Sequence, residues 1–221
     1  MLSESKDPKK SSLDQLLKGN AKLPTPPVIA IRIMKKTKEE NLSFSELEEI
    51  IASDPALTIK ILSIANSPVF GSTQTVDSIS RAINILGVNA IRNIALSFVI
   101  ASSFRGSSKD GFDYDLFWKN ALTRAVAANI LGRLLRRWSD DVYICALLAD
   151  IGKVVMFMSR PDDYLTVHYE SNLSESDECA LERSVFGFDH QEIGYEVLRR
   201  WGIPDSICLP IAHHHVDGGA P

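Results

Sequence analysis

The sequence predicts an all-α protein, and three observations carry that expectation. Apolar residues recur at helical spacing, as in Ile79, Ala82, Ile83 and Leu86 at i, i+3, i+4 and i+7. Residues that start and stop helices stand at the ends of such stripes. No run alternates apolar and polar residues far enough for a strand, and no Asn-Gly turn joins two β-branched runs.

Taken in order, the elements read as follows. Residues 1–10, MLSESKDPKK, are polar without an apolar centre, which reads as a loose tail and not a secretory signal. Ser43 and Glu46 have capping-box spacing. Asp54-Pro55 supplies an N-cap and a first-turn proline for the stripe Leu57, Ile61, Ile64 and Ala65. Asn66-Ser67-Pro68 stops it, because a proline disfavours helix at the residue before it. Gly87 follows the Ile79–Leu86 stripe where a C-terminal glycine belongs. Ile91 to Ile100 is apolar nearly all round, the mark of a helix buried on most sides.

Ser102 to Gly111, SSFRGSSKDG, is a break in composition and predicts a loop. It divides the chain into a front lobe of 11–104 and a back lobe of 112–221. In the back lobe Ile144 to Met158 reads as one apolar helix carrying Asp150 and Lys153 at i, i+3. Asp189 and Glu192 repeat the capping-box spacing, Gly187 and Gly202 sit past helix ends, and Pro204 opens a further helix.

Composition narrows the function. The 221 residues are 45% hydrophobic and 24% charged, enough for a sizeable core and too apolar for a disordered chain. The net charge of −4 argues against sequence-independent attraction to nucleic acid or anionic membranes. No segment reads as a bilayer-crossing run, the uninterrupted stretch Ile94–Ala101 being short. Cys145, Cys179 and Cys208 are odd in number and lack a CxxC pair, which suits buried roles in a reducing, cytoplasmic setting. Arg133, Arg136 and Arg137 would share a helix face, and Lys35, Lys36 and Lys38 form a second cluster. Both read as solvated faces, because no aromatic platform interleaves them. Phosphate loops, dinucleotide fingerprints, HExxH and GxSxG are all missing.

Two segments resemble a known family. Residues 54–94, DPALTIKILSIANSPVFGSTQTVDSISRAINILGVNAIRNI, are similar to the hallmark stretch of the HDOD domain, a signalling relative of the HD and HD-GYP metal-dependent phosphohydrolases. Residues 146–156, ALLADIGKVVM, and 186–215, FGFDHQEIGYEVLRRWGIPDSICLPIAHHH, resemble a degenerate HD core. With LPTPP at 23–27 the resemblance covers residues 12–221. It implies two lobes of one domain, a front helical subdomain and a back HD-like bundle, in a bacterial signalling module that works through other proteins.

The resemblance also says what such a centre needs. A phosphohydrolase of this type gathers His and carboxylate ligands on a divalent ion that activates water. Here the His of the tandem pair is Ala149, leaving Asp150, and the upstream His aligns with Asn120, a weak ligand. The family's last Asp lies on a helix beyond the HH segment, and the chain ends at Pro221 before it, so the final helix is expected to be missing.

Asp150 with Lys153 reads as an intrahelical ion pair. His190, after the N-cap Asp189, reads as a packing or hydrogen-bonding imidazole. His213, His214 and His215 point about 100° apart on a helix, so one or two at most can join His190. Residual metal candidates are therefore Asp150, His190, His213 and His214, with His215 the remaining member of the run. Asn66, Ser67 and Asn84 read as structural.

The expected function is a non-catalytic regulatory module without cofactor, its partner a signalling protein such as a kinase or a cyclic-dinucleotide enzyme. Two alternatives stand beside it: a residual phosphohydrolase using Asp150, His190 and one of His213–His215, and a small-ligand sensor.

Overall fold

The computed structural model describes residues 27–36, 43–67, 75–104, 111–135, 141–169 and 175–215. Twelve helices and no strand are found among the described residues, so the protein is all-α. The chain separates into two compact units, one of Thr25–Arg105 and one carrying Gly106 onward. The 1–10 tail, Pro68, Lys38, Arg136 and Arg137 lie outside the described residues.

The first unit holds α1 (Val28–Lys36), α2 (Phe44–Ala52), α3 (Pro55–Ala65), α4 (Ile79–Leu86) and α5 (Val88–Ser103). Its helix starts follow the chemistry of its side chains. Ser43 and Glu46 form a reciprocal capping box on α2. Asp54 accepts hydrogen bonds from the free N–H groups of Ala56 and Leu57, with Pro55 opening α3. Gly87 ends α4 at φ 84°, where a side chain would be strained, and α5 turns away there by 115°. Ile33, Leu47, Ile51, Leu57, Ile61 and Ile83 fill the core. The loop expected from Ser102 starts later: Ser102 and Ser103 still belong to α5, where the Ser103 hydroxyl donates to the Val99 carbonyl at 2.8 Å.

The second unit holds α6 (Tyr114–Leu134), α7 (Val142–Leu148), α8 (Ile151–Ser159), α9 (Pro161–Tyr169), α10 (Glu175–Phe186), α11 (His190–Arg200) and α12 (Asp205–Ala212). The single helix expected over Ile144–Met158 is interrupted at Ala149 and Asp150, where the Lys153 N–H reaches the Asp150 carbonyl in a tightened turn. That break turns the Asp150 carboxylate toward the histidines of α11 and the segment after α12.

Taken together, Val142–Ser159 is long and apolar enough to cross a bilayer by length and composition, which corrects the expectation that no segment is. It is 61% buried among other helices, as a core helix of a folded unit is.

α8 and α11 cross with their backbones in close approach. A Cβ on Gly152 would stand 1.9 Å from the His190 carbonyl oxygen, so only glycine lets the two backbones meet there. Phe112, Tyr114, Phe157 and Tyr164 pack edge-on and stacked beside it.

Candidate functional site: a histidine–carboxylate centre in the second unit

Four side chains from separate parts of the second unit converge. Asp150 comes from the α7–α8 break, His190 from the first turn of α11, and His214 and His215 from the turn after α12. Their ligand atoms lie within 4.8 Å of one another. His190 Nε2 is 2.9 Å from His215 Nε2, 3.3 Å from His214 Nε2 and 3.5 Å from Asp150 Oδ1. His214 Nε2 is 3.6 Å from the same Oδ1.

Each member is held from behind. Asp189 caps α11 through a second reciprocal box with Glu192 and is gripped by Arg183, which fixes where His190 begins the helix. The His190 ring is fully buried, its Nδ1 2.6 Å from Glu182 Oε2, and the same oxygen accepts the His190 backbone N–H at 2.8 Å. His214 pairs its Nδ1 with the Ile211 carbonyl at 2.8 Å, which leaves Nε2 with a lone pair facing the centre. The His215 N–H donates to Gln191 Oε1.

Asp150 is claimed on its other oxygen. Arg124 of α6 donates to Oδ2 at 2.5 Å and also to the Ala146 carbonyl. Lys153 stands 3.5 Å from Oδ1 and 2.9 Å from the Glu178 carboxylate, so the expected i, i+3 pair is present inside a larger network.

Burial and charge set the protonation states. Burial alone would raise the Asp150 carboxyl, but His214, Lys153 and Arg124 hold it well below the usual carboxylate range. Lys153 is raised: burial pulls it down, but the carboxylates of Asp150 and Glu178 outweigh that. Glu182 is pushed up to about 8, chiefly by burial, and His190 is pulled down to about 3 by burial and then by Lys153. Though geometry alone would read Glu182–His190 as an ion pair, both shifts favour the neutral forms on either side of their buried hydrogen bond. Glu182 Oε1 is buried with no partner among the described residues. Cys179 lies near Glu182 and His190, its thiol pushed up to about 11 by burial and then by Asp189 and Glu182, and it is not a ready ligand.

The four residues present could hold a metal ion. Four ligands at about 2.0–2.1 Å around a tetrahedral ion would be about 3.3–3.4 Å apart. The separations from His190 Nε2 to the other three atoms, 2.9–3.5 Å, bracket that edge. A set of three imidazoles and one carboxylate suits a zinc-like ion, with Glu182 and Arg124 as the outer groups that orient His190 and Asp150. When bound, such an ion would lend charge and rigidity to the α8–α11 contact.

The sequence candidates thus fare differently. Asp150, His190 and His214 meet as a group, and His215 joins them. His213 does not: it sits at the C-cap of α12, exposed, because the helix ends at Ala212 and the next two residues turn inward without it. Asn120 is an exposed residue of α6 on the wall of a cavity of about 350 Å³ shared with Arg124, Asp150, Lys153 and Glu178.

Asn66 is structural and reaches further than its own turn: its amide donates to the Leu62 and Val76 carbonyls and accepts the Val76 N–H, each at 2.8 Å. Asn84 is exposed. Reading the sequence missed Glu182, Arg124 and Gly152. A glycine inside an otherwise apolar helix was the available signal for Gly152, whereas nothing local marks Glu182 or Arg124.

The second unit is an all-helical bundle that brings an aspartate from a helix break together with histidines from two later helical segments. The chain belongs to the HDOD domain family, whose profile matches residues 23–216.

Among solved structures, an HDOD domain protein of unknown function from Geobacter sulfurreducens is similar at 25% identity and TM-score 0.81, covering 96% of this chain and 71% of that one. A protein of Marinobacter aquaeolei VT8, provisionally named a signal transduction protein, shares the fold at 22% identity and TM-score 0.79, over 96% of this chain and 50% of its own. So does one of Shewanella amazonensis SB2B, provisionally named a phosphohydrolase, at 21% identity and TM-score 0.76, over 95% of this chain and 73% of its own. An uncharacterised protein of Treponema pallidum (strain Nichols) is 25% identical over 198 residues, 87% of this chain. The chain spans 37% of that relative's length.

Proposed function

We propose that this chain is a regulatory module of signal transduction that acts by binding a partner protein, with its HD-derived centre serving the fold and not hydrolysis. The observation that carries this reading is Ala149. On the family resemblance, a methyl group stands at the position of the tandem His of an active HD pair, so the metal arrangement of that chemistry would lack a central member. The state of Asp150 points the same way, since Arg124 and Lys153 already neutralise it. Four protein ligands around one ion would also close the site, whereas catalytic ions keep a position open for water.

The test is product analysis after incubating the protein with manganese, iron, zinc or nickel and a panel of phosphate monoesters, cyclic mononucleotides and cyclic dinucleotides. No metal-dependent product is expected. Turnover that disappears in Asp150→Ala would overturn the reading.

A second reading rests on the spacing of the three Nε2 atoms and Oδ1: the centre holds a zinc-like ion as a structural tie. Zinc should then raise the thermal midpoint of the wild type and leave that of His190→Ala unchanged. Equal shifts in both proteins would remove it.

A further inference from the structure

The cavity of about 350 Å³ beside Asp150 lies wholly within the second unit and is walled by one face of α6 and one face of α9. The sequence sets both faces. Phe117, Asn120, Ala121 and Arg124 follow at i, i+3, i+4 and i+7 on α6, and Tyr164, Val167 and His168 at i, i+3 and i+4 on α9. Ala121 is the small member of its row, which leaves room at the wall. The volume is that of a small-ligand pocket, within about 300–1,000 Å³.

Three properties of the lining narrow what it can take. One wall is a run of rings: the centroids of Phe117 and Phe112 are 5.6 Å apart, those of Phe112 and Tyr164 5.8 Å, and those of Tyr164 and His168 5.9 Å. Such a wall favours a flat ring. The charges, by contrast, are already matched. Arg124, Asp150, Lys153 and Glu178 alternate in a chain of ion pairs at 2.5, 3.5 and 2.9 Å. Asp113 at the rim caps α6 by accepting the Leu116 N–H. An anion would have to draw Arg124 or Lys153 from a carboxylate, and a cation would have to draw a carboxylate from them. A net charge on the ligand therefore brings no advantage here.

Two neutral polar groups remain uncommitted among the described residues, the Asn120 amide at the exposed rim and the hydroxyl of Tyr164, a residue only 3% exposed. Burial, and then the carboxylates of Glu178, Glu182 and Asp150, push the Tyr164 phenol up, so it keeps its proton and can donate. An asparagine amide offers a donor beside an acceptor, and it matches a ring edge that carries the same pair.

We propose that this cavity binds an uncharged, fused heteroaromatic ring with a donor and an acceptor side by side on one edge. The ring lies against the aromatic wall, with the Asn120 amide and the Tyr164 hydroxyl as its polar contacts. This adds a small-molecule input to the regulatory reading above and does not rest on the centre's holding an ion.

The experiment is isothermal titration calorimetry of the full chain near neutral pH with four probes. 7-Azaindole has the proposed edge, indole has the same shape without the ring acceptor, and benzoate and benzamidinium carry opposite charges. 7-Azaindole should bind with a dissociation constant below about 1 mM, and indole at least about fivefold more weakly. Neither charged probe should bind detectably over the same range. Asn120→Trp, at an exposed position, should close the mouth and abolish binding while keeping the helical circular dichroism and the thermal midpoint. Asn120→Leu should bring the 7-azaindole and indole affinities together, and Tyr164→Phe should weaken 7-azaindole about threefold or more. Equal binding of 7-azaindole and indole to the wild type overturns the proposal, as does binding of neither. So does a charged probe that binds as tightly as 7-azaindole, or 7-azaindole binding that persists in Asn120→Trp.

Discussion

The two units are built from the same material and differ in what they bury. In Thr25–Arg105 the interior is a close set of Ile, Leu and Ala from α1–α5, and the buried polar residues among the described ones are Arg92 and Asn93 on one helix. In the unit from Gly106 onward, four polar side chains, Glu182, Asp189, His190 and Gln191, are buried together around one helix start. Buried polar groups cost stability unless each is paired, so a cluster of them is kept only where the pairing is nearly complete or a ligand completes it. Among the described residues, the buried cluster of polar side chains therefore belongs to the second unit.

Gly152→Ala should break the second unit most severely. The added methyl would meet the His190 carbonyl and force α8 from α11, at about 3 kcal/mol or a fall in thermal midpoint on the order of 10 °C. Calorimetry checks this, and a fall of only a degree or two would mean the crossing is loose.

Glu182→Ala should follow, at about 2–3 kcal/mol, because the His190 backbone N–H and Nδ1 both lose a buried partner. Denaturant titration would show this as a shifted midpoint with an unchanged slope. An unshifted midpoint would mean that His190 does not depend on Glu182.

The same pair sets how the ion-free protein responds to pH. The unfolded His takes up a proton near pH 6.5 that buried His190 refuses until about pH 3, so this group's contribution falls as pH drops through that window. The Asp150 carboxyl, held low, adds a loss in the same direction at the acid end. The unfolded Glu releases its proton near 4.5, while buried Glu182 keeps one until about 8, so this contribution falls as pH rises between those values. Between about 4.5 and 6.5 the two slopes oppose each other, and stability should be flat there and decline on either side. Glu182→Gln should abolish the alkaline decline specifically. A wild-type stability that climbs steadily from pH 5.5 to 7.5 would contradict the assignment.

The smallest effect belongs to the first unit. Asn66→Ala removes three hydrogen bonds at an exposed turn and should cost about 1–2 kcal/mol, with the zinc response of the second unit unchanged. A change in zinc response on losing Asn66 would break the division of labour between the units.

How much of this was legible in the sequence follows the range of the forces involved. The caps at Ser43, Asp54 and Asp189 and the glycine stop at Gly87 were readable because both partners lie within four residues. Asp150 and His190 were readable as candidates through the family resemblance. Their supports were not: Glu182 is eight residues from His190 and Arg124 twenty-six from Asp150, and only packing brings them together. The choice between His213 and His215 turned on where α12 ends. The apolar stripe over Ile144–Met158 hid the interruption at Ala149–Asp150, since periodicity does not register a tightened turn of two residues.

We expect this polar heart to hold the second unit together without hydrolysing phosphate esters. The most direct measurement is the rate of bis(p-nitrophenyl) phosphate hydrolysis by the metal-loaded wild type and Asp150→Ala, followed side by side. Both rates should equal that of the metal solution alone. A wild-type rate above that background, lost in Asp150→Ala, would contradict it.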